Sequence, residues 1–314
     1  MTGFPLVSIV TPAFQMAHFI RETLDSVFSQ DYPKIEYIVM DGGSTDGTID
    51  VLREYENRQS PNVRFRWFSS PDRGTADAIN KGLEISTGSV FGYLNADDTY
   101  TRSAVSSAVD ALLTDPSAIA VYGDAEWVAE DGTVIGRYPT RPFDGRVLRS
   151  ECFICQPASF VRREAFQKVG AFDVSLSYAY DYEFWIRLAR DNRLAKIGKV
   201  LAHSRMHASS KTLRDRKDVL RENIAVLCRH HDYAPFSHVL AYSAHLTDGR
   251  DQFFEPFQPS LGKYLLSLAV GLRFNWRHPA RYTREWASIM TGRLRRMPEP
   301  AGHSVANGDG PGSA

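Results

Sequence analysis

The sequence predicts an α/β fold in which a mostly parallel sheet is flanked by helices and followed by a helical C-terminal extension. Three observations support this prediction. Over residues 7–100, short β-rich runs alternate with amphipathic helical patterns, which is typical of a parallel sheet covered by helices. Polar clusters follow the predicted strands, where open α/β sheets bind their ligands. Beyond about residue 214 the patterns are wholly helical.

The elements of the first half follow from the spacing of apolar residues. Four apolar runs rich in β-branched and aromatic residues predict strands over residues 7–10, 35–40, 63–68 and 90–94. Between them, apolar residues recur at helical spacing and predict helices over 19–28, 48–56 and 76–84. A strand–helix alternation of this kind brings the carboxyl ends of the four strands to one edge of the sheet.

The second half begins after Asp115-Pro116, where the pattern changes. Two β-rich runs, 120–128 and 133–138, flank the turn Glu130-Asp131-Gly132 and predict a hairpin. A helix is then predicted over 178–187 and a strand over 195–203. The chain therefore adds an antiparallel portion to the sheet before the helical extension begins.

The bulk composition excludes several classes of protein. A length of 314 residues fits one large α/β domain with additions or two smaller ones. Because 37 basic residues balance 37 acidic ones, we expect no nucleic-acid partner. The N-terminus lacks a signal-peptide pattern, and no apolar run reaches the roughly 18 to 20 residues of a membrane span. We therefore expect a cytoplasmic protein.

The three cysteines agree with a reducing compartment. Cys152 and Cys155 have the C-x-x-C spacing, but no second pair follows to complete a zinc site. We expect two small buried thiols.

Two adjacent carboxylates, Asp97 and Asp98, lie where the fourth predicted strand ends. Hard oxygen ligands in this position suit a Mg²⁺ or Mn²⁺ ion that carries a diphosphate, because such ions prefer carboxylate, water and phosphate oxygens. The pair therefore predicts metal-assisted chemistry on a phosphorylated ligand.

Two further polar clusters each allow two interpretations. Residues 41–48 are rich in Asp, Gly, Ser and Thr, and form either a turn with a helix cap or a ligand-binding loop whose glycines admit a close approach. Residues 72–82 contain either a surface ion pair and a helix cap, or an Arg beside a diphosphate with an Asp on a ribose hydroxyl. The chain has no G-x-G-x-x-G and no P-loop motif, so neither of those nucleotide sites is supported.

The order of the motifs resembles that of the family 2 glycosyltransferases, which have the Rossmann-like GT-A fold and use nucleotide-diphosphate sugars. The resemblance covers roughly residues 5–212 and depends on six motifs together. These motifs are Thr11-Pro12-Ala13-Phe14-Gln15, residues 41–48, residues 72–82, Asn95-Ala96-Asp97-Asp98, Gln156-Pro157-Ala158-Ser159-Phe160 and residues 180–187.

The resemblance implies a binding site for the nucleotide sugar. Pro12 and Phe14, next to Thr11, would line the base pocket, although Phe14 stands where a Tyr is more usual. Asp41 would hold the base. Arg73 and Asp77 would lie near the diphosphate and the ribose.

The resemblance also implies a metal site for Mn²⁺ or Mg²⁺. Asp98 would ligate the ion, and Asp97 would bind the ribose or the water shell of the metal. Asn95 stands where many relatives have an Asp, so it would contribute an amide in place of a charge. The segment 205–210 resembles one that closes over the donor, and its His207 either contacts the metal or diphosphate or is an ordinary core or surface histidine.

The acceptor side is expected around the predicted helix 178–187. An attacking hydroxyl must lose its proton, which requires a carboxylate base within hydrogen-bond reach, and Asp181 matches the base of the family. The alternative interpretation of Asp181 and Glu183 is an acidic helix start favoured by the helix dipole. Candidate contacts to the acceptor or the diphosphate are Gln156, Glu183, Trp185, Arg187 and Arg205.

The expected activity is an inverting, metal-dependent transfer of one sugar from a UDP-, GDP- or dTDP-sugar to a saccharide or lipid-linked saccharide acceptor, as in polysaccharide or glycolipid assembly. With no predicted membrane span, a processive, polymer-extruding synthase is not expected. The alternatives are a non-catalytic nucleotide-sugar-binding protein and a sugar nucleotidyltransferase. The second would carry a Gly/Arg/Lys-rich loop after the first strand, which Thr11-Pro12-Ala13-Phe14 does not supply.

We expect residues 1–212 to form the catalytic domain, with a nucleotide-binding half at about 1–115 and an acceptor-binding half at 116–212. A helical extension is expected over 213–297 and a disordered tail over 298–314, which is rich in Gly, Pro, Ala and Ser. Basic and aromatic residues of 263–297 fit either peripheral contact with the inner face of the plasma membrane or a helical cap or subunit interface in a homo-oligomer.

Overall fold

The computed structural model describes residues 3–58, 60–249, 254 and 257–292. The chain forms two compact units. The first comprises Met1–Leu148 and Cys152–Met206, and the second comprises Arg149–Glu151 and His207–Ala314. The predicted tail 298–314 lies outside the described residues.

The first unit contains a nine-stranded sheet within its described residues. Its strands are β1 (Val7–Ala13), β2 (Ile35–Asp41), β3 (Val63–Ser69), β4 (Val90–Tyr93), β5 (Thr99–Tyr100), β6 (Ala118–Val128), β7 (Val134–Arg137), β8 (Ser159–Arg162) and β9 (Arg193–Arg205). They follow the order β3-β2-β1-β4-β8-β6-β9-β5, with β7 paired to β6. The first four strands are parallel, whereas β8 runs antiparallel to both β4 and β6.

The strand order reverses at β1, which lies between β2 and β4. Such a switch point opens a crevice at the carboxyl ends of the strands. Strand β1 is three residues longer than predicted because Thr11, Pro12 and Ala13 pair with the end of β2, where Ala13 lies opposite Asp41. Strands β1 and β2 are buried along their whole length, as expected for parallel strands covered on both faces.

Six helices of the first unit cover this sheet in the described residues. They are α1 (Ile20–Phe28), α2 (Thr48–Glu56), α3 (Thr75–Ile85), α4 (Ala104–Thr114), α5 (Glu164–Val169) and α6 (Tyr180–Leu188). Helix α3 approaches β1 so closely that a Cβ atom at Gly82 would lie 2.5 Å from Val10 Cγ1. A larger residue at position 82 would push α3, and the loop at its N-terminus, away from the sheet.

The antiparallel portion agrees with the predicted hairpin. Strands β6 and β7 pair around the predicted turn, with Trp127 opposite Gly136. Of the two cysteines expected to be buried, Cys155 is buried but Cys152 is partly exposed. Burial raises the pKa of the Cys155 thiol well above its usual value, which keeps that thiol protonated and unreactive.

The second unit is helical in its described residues. Its helices are α7 (Lys211–Arg214), α8 (Arg216–His231), α9 (Phe236–Asp248), α10 (Leu261–Phe274) and α11 (Pro279–Met290). The predicted domain boundary at 212 falls inside α7. Helices α10 and α11 form a hairpin in which Tyr282 packs against Gly271, where a Cβ atom would lie 1.9 Å from the tyrosine ring. Glycine at 271 therefore permits the hairpin to close.

Among the described residues, every helix is too short or too polar to cross a lipid bilayer.

Candidate active site

The loop after β2 is organised by the buried carboxylate of Asp41, which is 2% exposed. Its Oδ2 accepts hydrogen bonds from the backbone N–H groups of Gly43 (3.0 Å) and Ser44 (2.9 Å) and from Ser69 Oγ (2.6 Å). The Ser44 hydroxyl donates to Oδ1. Four donors around one carboxylate compensate its burial, so Asp41 holds the glycine-rich loop in a single conformation.

The loops after β1, β2 and β3 meet at Gly42. A Cβ atom there would lie 2.8 Å from Asp72 Oδ2 and 3.2 Å from Phe14 Cδ2. Phe14 is 57% exposed, and beside it the Gln15 N–H donates to Ser44 Oγ at 2.8 Å. Gly42 therefore lets the Phe14 ring and the Asp72 carboxylate approach the backbone of the loop closely, and the exposed face of Phe14 is available to a ligand, as expected for the wall of a base pocket. Thr11 and Pro12 lie just beneath it and are buried.

Arg73 and Asp77 form an ion pair at the start of α3, with 2.8 Å between Arg73 Nη2 and Asp77 Oδ1. Asp77 also accepts from the Arg73 N–H at 3.1 Å and pairs with Lys81 Nζ at 3.1 Å. The Arg73 guanidinium, and with it the Arg73 N–H and Lys81, lowers the pKa of Asp77 to about 2. The predicted ion pair at the helix start is present, and its Arg73 side chain is 73% exposed; contact of Arg73 with a diphosphate and of Asp77 with a ribose stay predictions.

Asp98 is held in the loop after β4 and is 4% exposed. Its Oδ1 accepts the Arg205 N–H at 2.9 Å, and its Oδ2 accepts Asn95 Nδ2 at 3.2 Å. The same Asn95 amide donates to Gln156 Oε1 at 3.2 Å, while Gln156 Nε2 donates to the Tyr93 carbonyl at 2.6 Å. The structure thus brings together four predicted residues, Asn95, Asp98, Gln156 and Arg205, and the Asn95 amide donates to Asp98 and to Gln156.

The Asp98 carboxyl carries a charge that its surroundings do not fully compensate. Burial and the neighbouring Asp97 charge raise its pKa well above the usual range, because both disfavour the ionised form. A bound cation would reverse this effect, and carboxylate oxygens are the ligands that Mg²⁺ and Mn²⁺ prefer. Asp97 and Asp98 therefore fit a divalent ion by donor chemistry and by electrostatics.

Within the described part of the chain, no three Asp, Glu, His or Cys side chains come together as a metal centre. An ion at Asp98 would accordingly need further ligands from outside the protein, such as water or phosphate oxygens, as is common for Mg²⁺ sites with one or two carboxylates.

Arg205 holds the acidic loop from the side of β9, and its side chain is 2% exposed. Its Nε donates to the Asp97 carbonyl at 2.9 Å and its Nη1 to the Glu130 carbonyl at 2.6 Å. The guanidinium also pairs with Glu22 and lies 5.3 Å from the centre of the Phe19 ring. The described contacts of Arg205 are all to other groups of the protein. Its contact with an acceptor or a diphosphate stays a prediction.

Asp181 lies in the first turn of α6 and is partly exposed. Its Oδ1 accepts the Tyr182 N–H at 2.7 Å. Burial, together with Tyr180, Asp181, Cys152 and Asp98, raises the pKa of the Tyr93 phenol well above its usual value. The centres of the Tyr93 and Tyr180 rings lie 6.4 Å apart, so the start of α6, where Asp181 lies, is next to β4; the role of Asp181 as a base stays a prediction.

Of three candidate contact residues on α6, two pair with each other and the third is buried. Glu183 is 3% exposed, and its two carboxylate oxygens accept Arg187 Nε at 2.8 and 2.9 Å. Arg187 Nη2 further donates to the Ala171 carbonyl at 2.8 Å. Trp185 is 1% exposed, which agrees with a core side chain. The ion pair secures the segment that leads into α6, and contacts of these residues to ligands stay predictions.

His207 begins the second unit, where its Nδ1 lies 2.8 Å from Ser209 Oγ. Its role as a ligand of the metal or the diphosphate stays a prediction.

The sequence analysis did not single out Ser69, Tyr93 or Glu22 for a role at the site. Ser69 could have been found from strand register, because it pairs with Asp41 across β2 and β3. The Tyr93 hydroxyl is buried without a hydrogen-bond partner in the described residues, which is unusual for a buried polar group. Glu22 lies 183 residues from Arg205, and no local pattern marks that pairing.

Solved structures share this fold. The structure of S. aureus TarS 1–349 in complex with UDP-GlcNAc matches with a TM-score of 0.60 and 16% identity, over 89% of this chain and 83% of that one. A mannosyltransferase from Pyrobaculum calidifontis in complex with GDP-Man and Mn²⁺ matches with a TM-score of 0.59 and 23% identity, over 93% and 87%. The predicted GT-A fold is thereby confirmed.

Curated relatives extend the likeness to sequence. Chondroitin synthase of Escherichia coli is 28% identical over 220 residues, which are 70% of this chain and 31% of the relative. Hyaluronan synthase of Pasteurella multocida is 26% identical over 211 residues, which are 67% of this chain and 21% of the relative. The chain therefore spans less than a third of the length of these two proteins. Residues 8–170, more than half of the 314, match the family described as Glycosyl transferase family 2, and the chain belongs to that family.

Proposed function

We propose that this protein transfers a single sugar from a nucleotide-diphosphate sugar to a hydroxyl of a saccharide or lipid-linked saccharide acceptor. One observation carries the proposal. Asp98 lies buried at the end of β4, and the centre of the Tyr93 ring on β4 lies 6.4 Å from that of Tyr180, the residue before Asp181. A site for the leaving diphosphate and a base for the acceptor would then lie within one crevice, as transfer between two substrates requires.

The donor would bind along the carboxyl ends of β1 to β4. Phe14 would stack on the base, while the Asp41 loop supplies a fixed backbone surface beside it. The exposed guanidinium of Arg73 can leave Asp77 and form charge-assisted hydrogen bonds with the diphosphate. Asp77 would then be available to a ribose hydroxyl.

Asp98, with Asp97 beside it, would hold a Mn²⁺ or Mg²⁺ ion that also binds the diphosphate. When bound, such an ion stabilises negative charge on the leaving phosphate as a Lewis acid. The protein contribution is the fixed orientation of Asp98, which the Arg205 N–H and the Asn95 amide hold from either side. The complexes of related folds with UDP-GlcNAc and with GDP-Man and Mn²⁺ support both the donor class and the ion.

Asp181 would accept the proton of the attacking hydroxyl. The acceptor oxygen forms a bond to the anomeric carbon, the bond from that carbon to the diphosphate oxygen breaks, and the nucleotide diphosphate leaves with the electron pair. A direct displacement of this kind inverts the anomeric configuration. Asp181 suits the role because it is partly exposed and begins α6, where the helix N-terminus favours its ionised form.

The acceptor class is supported by the names of the relatives, chondroitin synthase and hyaluronan synthase, which refer to polysaccharides. A role in polysaccharide or glycolipid assembly at the inner face of the membrane follows as part of the proposal.

The direct test incubates the purified protein with Mn²⁺ and UDP-, GDP- and dTDP-sugars, with and without saccharide acceptors, and measures nucleotide release. We expect release with one donor and none after chelation with EDTA. Binding of a donor without nucleotide release under any condition would indicate a nucleotide-sugar-binding protein. In a separate incubation with a sugar phosphate and a nucleoside triphosphate, release of pyrophosphate would indicate a nucleotidyltransferase.

The base is tested with Asp181→Asn. We expect transfer to fall by about 10² to 10⁴-fold, the usual contribution of a general base, while the donor still raises the unfolding temperature. Asp191→Asn is the matched control, since Asp191 is an exposed acid just after α6. Normal transfer by Asp181→Asn would show that another group takes the proton.

A further inference from the structure

Helix α10 presents an apolar stripe to solvent. Leu261 is 70% exposed, Leu265 is 54% exposed, and Trp276, just beyond the end of the helix, is 69% exposed. Ala269 lies between them and is exposed as well. The spacing of four residues from 261 to 265 to 269 keeps these positions on one face. The opposite face is buried through Lys263, Ser267 and Gly271, so α10 lacks the polar outer face of an ordinary surface helix.

Basic residues follow this stripe and continue along α11. Arg273, Arg277, Arg281 and Arg284 are all exposed. Arg277 lies in the turn between the helices, and Arg281 and Arg284 share one face of α11. Arg277 pairs with Asp232 at 3.3 Å, so its charge is partly offset. Lys263 was also one of the basic residues predicted to form this surface, but it is buried and its Nζ lies 2.7 Å from Asp248 Oδ2. The arginines supply the outward positive charge.

The acidic side chain of this segment, Glu285, bonds to the helical core. Glu285 is the single acid between residues 257 and 292. It accepts hydrogen bonds from the Tyr233 hydroxyl and, at 3.3 Å, from the Phe236 N–H, both within the helical core. The outer surface of the α10–α11 hairpin therefore combines exposed Leu and Trp side chains with net positive charge.

We propose that the α10–α11 hairpin is a docking surface for an anionic lipid bilayer, with α10 lying in the plane of the interface. Leucine and tryptophan side chains enter the boundary of the acyl chains while arginines contact the headgroups. A helix of 14 residues is about 21 Å long, short of the roughly 30 Å of a hydrocarbon core. The geometry thus fits a helix that lies on a bilayer.

Charge decides against a second copy of the chain as the occupant. A two-fold dimer through this face would bring the same patch of both copies together, and the arginines of one copy would face those of the other. Three more arginines, Arg293, Arg295 and Arg296, come after α11 in the sequence, before the two remaining acids, Glu299 and Asp309. A phospholipid headgroup supplies the opposite charge. This inference does not depend on the transfer reaction.

The test is co-sedimentation of the full chain with vesicles of phosphatidylcholine alone and of phosphatidylcholine with 30% phosphatidylglycerol, the latter composition being about that of an anionic membrane surface. We expect binding to the anionic vesicles that weakens as salt rises, because salt screens the arginine contacts. Equal binding to both vesicles would overturn the role of charge. Concentration-dependent dimerisation that Leu265→Ser abolishes, without vesicle binding, would assign the face to a second copy and overturn the proposal.

Matched variants separate the surface from general effects. Leu265→Ser should weaken vesicle binding about tenfold, whereas Leu113→Ser, at a leucine that is 58% exposed on α4, should not. Replacing Arg273 and Arg284 by Gln should weaken it by about fivefold for each charge, whereas the same changes at Arg53 and Arg146, which lie in exposed ion pairs of the first unit, should not. Unchanged binding of both test variants would overturn the proposal.

Discussion

The loops after β2 and β4 both place a buried carboxylate at the end of a parallel strand, but they treat its charge in opposite ways. Asp41 accepts four hydrogen bonds from its own loop and from Ser69. Asp98 accepts two, and burial together with Asp97 raises its pKa well above the usual range. The carboxylate of Asp41 shapes the loop, and its contact with the base stays a prediction, whereas the ionised form of Asp98 is disfavoured by its surroundings.

The difference teaches how an acid at a strand end can be assigned. An aspartate surrounded by N–H and O–H donors stabilises the fold that carries it. An aspartate whose ionised form is disfavoured until a cation arrives belongs to a site for ligands. Position in the fold is the same for both, so the count of donors around each carboxylate separates the two roles.

The largest expected effect that tests this comparison is on activity. Asp98→Asn removes the charge that would hold the divalent ion, so Mn²⁺-dependent transfer should fall by about 100-fold or more, because metal stabilisation of the leaving group contributes several kcal/mol. Nucleotide release is measured over a range of Mn²⁺ concentrations. If the variant reached the wild-type rate at high Mn²⁺, Asp98 would be dispensable for the reaction.

The same variant should have the opposite effect on stability. Without metal at neutral pH, Asp98→Asn removes a carboxylate whose folded pKa lies above its unfolded value, and such a group costs stability at every pH above the unfolded pKa. The variant is therefore expected to unfold at a higher temperature than the wild type in EDTA. A lower unfolding temperature would mean that the hydrogen bonds of Asp98 outweigh the cost of its charge.

Asp41→Asn should destabilise the protein. The amide keeps one oxygen, but its NH₂ group must face donors such as the Gly43 N–H and Ser69 Oγ. Leaving buried donors unsatisfied costs about 1–3 kcal/mol, which is measured as a lower free energy of unfolding in urea. The matched control is Asp50→Asn, an acid on α2 whose side chain is 75% exposed. Equal stability of both variants would remove the structural role given to Asp41.

The smallest effect concerns Asp77, whose pKa is lowered to about 2, first through its hydrogen bond with Arg73. A folded pKa below the unfolded value of 3.8 means that the stabilisation is complete above 3.8 and is lost as the pH falls towards about 2. Unfolding in urea is compared for the wild type and Asp77→Asn between pH 7 and pH 2. The two curves should converge only below about pH 4, and a constant difference would contradict the pairing.

Much of the fold was accessible from sequence because its signals are local. The helix predicted over 48–56 matches α2, and the hairpin around Glu130-Asp131-Gly132 matches β6 and β7. The acidic pair was found because Asp97 and Asp98 follow an apolar strand directly. The clustering of Asn95, Asp98 and Gln156 was also anticipated, since the motifs that contain them were assigned to one site.

Other roles depend on contacts that sequence spacing does not encode. Arg187 and Arg205 were named as candidate ligand contacts, and their guanidinium groups bind Glu183 and Glu22 and several carbonyl groups, while contact with a ligand stays a prediction. An arginine beside a motif has the same sequence pattern whether it faces a phosphate or a protein carboxylate. Only the packed structure counts its partners.

By itself the sequence determined the alternation of strands and helices, the edge of the sheet where polar residues gather and the family to which their order belongs, because periodicity and turn residues act over short distances. The tertiary structure decided which carboxylates are compensated and which leucines stay exposed. Burial and the partners of a charge arise from segments up to 183 residues apart, and these determine that Asp41 has four donors, that Asp98 has two and that Leu261 and Leu265 of α10 stay exposed.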